Sequence, residues 1–284
     1  MQHTVNGPIQ RIPFSTPSSS GRWWPLLILT GLLSLSGTHA DGPGESPDDS
    51  EMLSPYEAEY EARSHGLSST ASRTLHRPSA GADANIRTYR LTQSLSVRVL
   101  GANLITLQES SHFAQSGTSL IGGAYRYEQT GISRRNRHIR FNWLDDSARV
   151  TTRDRNETYA IERGTLDQLA FTAQLRLDVR KARQEGEGKT DFTFRIIDEH
   201  GPEEQLYRLA GSETLETPIG SMETVRLERI REPDSPRTTT VWLAPSEEYI
   251  MVRLLQTEEG ESDTELLLSS LVWTEAEATL ETSN

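Results

Sequence analysis

The sequence predicts a mainly β fold: a large curved antiparallel sheet, meander or open barrel-like, with one amphipathic helix packed on it. Three observations carry this expectation. Apolar and polar residues alternate with period two in segment after segment, the mark of half-buried strands. Short links rich in Gly, Pro, Asp and Glu join those segments, which favours a meander over repeated βαβ units. A single stretch, in the middle of the chain, places its apolar residues at helical spacing instead.

The chain of 284 residues opens with a segment of a different character. From Trp23 to Leu35 it is apolar except for Thr30, Gly31 and Ser34, too short and too broken to span a bilayer comfortably. Arg22 precedes the run and Thr38-His39-Ala40 follows it, with small residues where a signal peptidase reads. A positive residue, a short apolar stretch and a small-x-small exit predict a secretory signal peptide cleaved between Ala40 and Asp41. Residues 41–54 combine Gly, Pro, Ser and acids with little to bury, so a disordered linker is expected there. Order is expected from Tyr56, in one β-rich domain over 55–274, with a flexible polar tail at 275–284.

In YEAEYEA, Tyr56, Ala58, Tyr60 and Ala62 alternate with Glu57, Glu59 and Glu61, which predicts a strand with one buried face. YRLTQSLSVRVL and NLITLQES flank Gly101 and form a second strand pair. HIRFNW puts Ile139, Phe141 and Trp143 on one face, and Ala148, Val150 and Thr152 continue after a turn at Asp145-Asp146. Residues 137–153 therefore predict a hairpin.

In GTLDQLAFTAQLRLDVRKA the residues Leu166, Leu169, Ala170, Ala173 and Leu177 form a helical stripe. Thr165 with Gln168 predicts a capping-box start, and Arg180, Lys181 and Arg183 suit the negative end of a helix over 166–180. Leu169 and Leu177 should then be buried, with Gln168 and Arg176 facing water. The strands KTDFTFRII, EQLYRLAG, METVRLERI, TTTVWLA, YIMVRLLQT and TELLLSSLVW complete the chain, separated by turn-rich links.

Composition excludes some function classes. Cysteine is absent, so disulfides, thiolate metal sites and an N-terminal lipidated Cys are excluded. Residues 1–40 hold two Arg and no acid, so cleavage leaves 27 basic against 41 acidic side chains, a net charge of −14. That balance disfavours nucleic acid and anionic membrane surfaces as partners, and no stable membrane anchor is expected after cleavage.

The stretches GSETLETPIGSMETVRLERI (211–230) and TTTVWLAPSEEYIMVRLLQ (238–256) resemble the C-terminal half of an exported bacterial family, domain-of-unknown-function family 3108. The matching residues are Gly211, Glu213, Leu215, Thr217, Pro218 and Gly220, then Trp242, Leu243, Ala244 and Pro245, then Tyr249, Val252 and Arg253. Met251 stands where the family often has Pro, Asn142 replaces the acid of its Phe-Asp-Trp, and Ala170 replaces a Ser at its helix start. The resemblance covers roughly residues 56–273. It implies an exported β-rich domain in the periplasm and no established activity.

Catalytic signals are sparse. The His residues at 3, 39, 65, 76, 112, 138 and 200 never fall three or four apart, so no local metal pair is formed. No Gly-x-Ser-x-Gly elbow, phosphate-cradling Gly loop or dinucleotide fingerprint is present, and no cofactor is implied. Asp145-Asp146 is expected to be a solvated turn. Arg134, Arg135, Arg137 and Arg140 read as a solvated strand edge or as a dock for an anionic headgroup or polysaccharide. Phe141, Trp143, Trp242, Tyr249 and Arg253 are the candidates for a ligand-holding sheet face. The expected function is a non-enzymatic binding or envelope-maintenance protein whose curved sheet holds a lipid-like ligand or an envelope protein. The alternatives are a glycan hydrolase with dispersed Asp and Glu, and a partner that adds a strand to another envelope protein.

Overall fold

The computed structural model describes residues 52–64, 67–77, 86–99, 102–186, 188–261 and 263–275. The predicted signal peptide, its cleavage site at Ala40-Asp41, most of the 41–54 linker and nearly all of the tail lie outside these residues. The packed chain begins a little before the predicted Tyr56. Leu53 is buried, and its backbone is tied by the Gln115 side chain and the Tyr89 hydroxyl.

The first half of the sheet is β1 (Tyr56–Ser64), β2 (Leu67–His76), β3 (Arg87–Val99), β4 (Ala102–Ser116), β5 (Ser119–Gly131), β6 (Arg135–Asn142), β7 (Ser147–Thr152) and β8 (Asn156–Ala160). The short β9 (Thr165–Asp167) leads into the helix α1 (Ala170–Glu185). The second half is β10 (Asp191–Asp198), β11 (Gly201–Thr217), β12 (Gly220–Ile230), β13 (Arg237–Ala244), β14 (Ile250–Glu258) and β15 (Thr264–Trp273). Alternation in β1 is as expected, with Tyr56, Ala58, Tyr60 and Ala62 buried and the three intervening Glu exposed. The 137–153 hairpin is β6 and β7, closed by Asp146 at φ 47°. β2 and β5 were not anticipated: LSSTASRTLH and SLIGGAYRYEQTG lack a clean apolar stripe.

The fifteen strands of the described residues form one sheet, ordered β8-β7-β6-β5-β4-β3-β2-β1-β15-β14-β13-β12-β11-β10-β9. Every ladder joins strands consecutive in the chain except β1 with β15, which unites the two halves. The two outermost strands, β8 and β9, are themselves consecutive and separated by residues 161–164 alone. So short a link requires the edges to lie close together, and the sheet curls back on itself with an open seam between them. Isolated contacts stitch this seam: the Tyr159 hydroxyl donates to the Glu199 carbonyl, the Ser111 hydroxyl to Asp167, and Arg137 pairs with Glu199.

Two features depart from the antiparallel meander with a surface helix. β9 runs parallel to β10, with Arg195 opposite Thr165, and α1 is the crossover between them. The capping box also does not form, because Thr165 is part of β9. The helix instead begins at Ala170, capped by Asp167, whose Oδ1 accepts the Leu169 and Ala170 N–H groups, both at 2.9 Å. It ends at Gly186, left-handed at φ 65°. The predicted stripe of Leu169, Ala170, Ala173 and Leu177 is buried, but so are Leu175, Arg176, Val179 and Ala182. Burial over more than one face encloses the first turns of α1 within the curl. Arg176, expected in water, is only 5% exposed. Its guanidinium donates to the Glu248 carbonyl at 3.2 Å and lies over the Tyr56 ring. Gln168, also expected in water, is half-buried and accepts from Arg137 at 2.9 Å.

Candidate functional site

Side chains on one face of a strand recur every second residue, so the ladder registers define rows of interior groups running across the sheet. One row is apolar for most of its length: Tyr56, Leu75, Leu91, Ser111, Tyr125, Ile139 and Val150. The adjacent interior row is polar. It runs Ala58, Arg73, Gln93, Glu109, Tyr127, Arg137 and Thr152 from β1 to β7. On the other half, Tyr207 stands opposite Arg229, and Thr239 opposite Gln256. Both halves therefore carry an apolar layer and a polar layer on the inner face.

Between them lies a cavity of about 370 Å³. Leu169, just before α1, and Phe171 and Leu175 within it line the apolar part with Ile196, Leu243 and Met251. Its polar part is lined by Arg73, Gln93 and Glu109 on one side, and by Gln205, Arg229, Arg231, Arg237, Thr239 and Gln256 on the other. The volume falls within the range of about 300–1,000 Å³ usual for ligand pockets. Mixed lining of this kind suits a molecule with one apolar and one polar end.

Burial governs the ionisable groups around the cavity. Glu109, its sole lining carboxylate, has its pKa raised by desolvation, against a hydrogen bond from the Tyr125 hydroxyl at 2.9 Å. Asp167 sits behind it, fully buried, with its pKa pushed up to about 6 by desolvation. Three hydrogen bonds to its carboxylate, from the Ser111 hydroxyl and the two helix N–H groups, oppose that rise. Among the described residues no group of three or more His, Cys, Asp or Glu could hold a metal ion.

The five residues singled out from sequence do not converge on this cavity. Phe141 stacks on Trp143, and its ring covers Gly122, where a Cβ would come within 2.9 Å. Trp143 borders a separate, wider cleft between β5 and the β9–β10 region. Trp242 and Arg253 stand opposite each other on the outer face of β13 and β14, where the guanidinium stacks on the indole and pairs with Glu265. Tyr249 is buried in the turn between those strands, at φ 59°. Of the arginine cluster, Arg134, Arg135 and Arg140 are exposed while Arg137 points inward to Glu199 and Gln168.

The cavity residues missed from sequence are Arg73, Gln93, Glu109, Arg229, Arg231, Thr239 and Gln256. A usable signal existed in METVRLERI, where the inward positions read Val225, Leu227 and then Arg229. An arginine continuing an apolar face marks an interior that is not filled by oil alone.

An open, curled sheet with one enclosed helix and a mixed interior cavity defines a mainly β, barrel-like domain. The chain belongs to the DUF3108 family, a protein family of unknown function, whose model matches residues 78–264. A beta-barrel-like protein of domain of unknown function DUF1849 from Brucella abortus is similar at 10% identity and a TM-score of 0.48, over 78% of this chain and 98% of that one. A candidate lipoprotein from Parabacteroides distasonis is similar at 8% identity and a TM-score of 0.33, over 78% of this chain and 96% of that one. No curated protein matches the chain.

Proposed function

We propose that this is an exported periplasmic protein that binds an amphipathic ligand inside its curled sheet and serves envelope maintenance without catalysing a reaction. The observation that carries this reading is the interior cavity, apolar against α1 and polar where the β2–β4 row faces β11–β14. The run from Trp23 to Leu35 followed by Thr38-His39-Ala40 supports export, with a mature chain beginning at Asp41. Among the described residues no helix is long and apolar enough to cross a membrane.

The hydrolase alternative gains little from the interior cavity, whereas the wider cleft beside β5 is lined by Asp146, Glu162, Asp178 and Glu204. A glycosidase needs two carboxylates facing one cleft. Glu109 faces the cavity, but Asp167 is fully buried and both of its oxygens are occupied in capping α1 and holding Ser111.

Native mass spectrometry of protein prepared from periplasm tests the proposal. A co-purified small amphiphile and an intact mass beginning at Asp41 are the expected results. Ligand-free protein that also fails to take up any added amphiphile would overturn the binding reading. A mass retaining Trp23–Leu35 would overturn the export reading.

A further inference from the structure

The charge on the cavity wall runs against that of the chain. The protein carries a net charge of −12, yet among the described residues the cavity lining holds five arginines and a single carboxylate. Three of those arginines are compensated. Arg176 is held by Glu248, Arg229 pairs with Glu203 at 3.0 Å, and Arg237 bonds Glu258 through Nε at 2.8 Å. The other two have no carboxylate in direct contact, although Glu109 acts on Arg73 and Glu203 on Arg231 at longer range. Arg73 is 7% exposed, and its Nε bonds the Gln93 side-chain oxygen at 3.0 Å. Arg231 bonds the Thr239 hydroxyl at 3.0 Å and, more weakly, the Arg237 carbonyl. Among the described residues neither guanidinium has a carboxylate within ion-pair distance.

A guanidinium keeps its charge at any physiological pH, so burying one without an anion is costly. Amide and hydroxyl partners satisfy some N–H groups and cancel none of the charge. Burial and the neighbouring Arg229 and Arg237 lower the pKa of Arg231, opposed in part by Tyr207 and Glu203. Both residues are placed to receive an anion. Arg229, Arg231, Arg237 and Thr239 also line an adjoining cleft of about 420 Å³ beside the β12–β13 turn, which gives that end a path to solvent. Arg237 and the apolar Leu243 are six residues apart on β13, about 20 Å at a strand's rise of ~3.3 Å per residue.

We infer that the cavity is built for a single-chain amphiphile with an anionic head, a phosphate or a carboxylate, received by Arg73 and Arg231, with its tail against Leu169, Phe171, Leu175 and Met251. This rests on the binding function proposed above and specifies its ligand class. A volume near the low end for ligand pockets accommodates one chain rather than two. Among the described residues Glu109 is the only lining carboxylate, and burial raises its pKa.

The test is isothermal titration of the mature chain with dodecyl phosphate, dodecanoate and dodecyl maltoside, each below its micelle concentration. The anionic compounds should bind at least about tenfold more tightly than the maltoside, the scale of one lost charge-assisted interaction. Arg231→Gln should remove about that factor for the anions and leave the maltoside unchanged, whereas Arg231→Lys should keep most of it. Tighter phosphate than carboxylate binding assigns the head as a phosphomonoester, and the reverse order assigns a fatty acid. Equal affinity of the wild-type protein for all three compounds would overturn the anionic-head inference while leaving the cavity function standing. Binding of none would overturn both. The wild-type comparison decides the matter even if a variant fails to fold.

Discussion

Asp167 offers the sharpest test of how the fold is held, because one carboxylate caps α1, anchors β9 and reaches β4. Its pKa is raised from 3.8 to about 6, chiefly by desolvation. A carboxyl whose folded pKa is raised binds its proton more tightly in the folded state. It therefore favours folding most below about pH 4, and that contribution is lost as pH rises through about 6. At about 1.36 kcal/mol per unit the shift corresponds to roughly 3 kcal/mol. Asp167→Asn keeps the acceptor for Leu169 and Ala170 N–H and presents an amide to Ser111, imitating the protonated acid. Urea unfolding from pH 4 to 7.5 should show the wild-type protein losing roughly 3 kcal/mol relative to Asp167→Asn across that range. Glu109, also raised by burial and coupled to Asp167, adds a decline of the same sign to both proteins, so their difference reports Asp167 together with that coupling. Asp167→Ala should be poorer at every pH, losing about 1 kcal/mol of cap and leaving the buried Ser111 hydroxyl unpaired at about 1–3 kcal/mol. Parallel pH profiles for wild type and Asp167→Asn would refute the assignment of the titration to this residue.

Three further perturbations probe separate parts of the molecule. Leu169→Ala removes a side chain 2% exposed on the enclosed face of α1 and should cost about 2–5 kcal/mol. Gln168→Ala, losing one bond to Arg137, should cost only about 1 kcal/mol; thermal melts that rank the two equally would contradict the packing of α1. Gly131→Ala should be severely destabilising, since its Cβ would lie 2.0 Å from the Leu104 carbonyl oxygen at φ +109°; a variant melting within a degree of wild type would refute that close approach. Arg176→Met keeps the aliphatic packing but abandons the bonds to the Glu248 carbonyl. It should cost about 2–3 kcal/mol and raise hydrogen-exchange rates in the β13–β14 turn, and unchanged exchange there would show that the arginine does not anchor α1.

Strand identity was legible wherever one face is apolar throughout, as in β1 with Tyr56, Ala58, Tyr60 and Ala62. It was not legible in β2, whose inward residues Ala71, Arg73 and Leu75 include a charge and whose outward ones are small and hydroxylated. The helix was placed correctly by its stripe but started four residues early. Thr165 and Gln168 form a good local cap, and the pairing of β9 with β10 takes Thr165 into the sheet instead. That competition is between residues some thirty positions apart, which no local pattern records. The cavity shares this origin. Arg73 and Arg231 look like ordinary strand charges until the curl brings β2 and β12–β13 around one space. Side-chain size does not decide which face of a strand an aromatic occupies, and Trp242 has its partner, Arg253, on the outside of the sheet.

The number of strands explains why a cavity is present at all. About eight strands can close around an interior that side chains alone fill, and larger barrels leave space. Fifteen strands in one curled sheet therefore enclose more volume than their inward side chains occupy. Helix α1 takes up part of it, which is why its buried residues extend over more than the predicted stripe. The chain delivers the helix there as the crossover from the edge strand β9 to its neighbour β10, beside the seam. Apolar side chains of α1 close one end of the interior, and among the described residues no second helix fills the other. Its walls must then face solvent or a ligand rather than each other, and arginine, glutamine and threonine at inward positions are the residues that tolerate this. The polar row and the enclosed helix are thus two consequences of one geometric fact, the excess of strands over what a self-filling barrel needs.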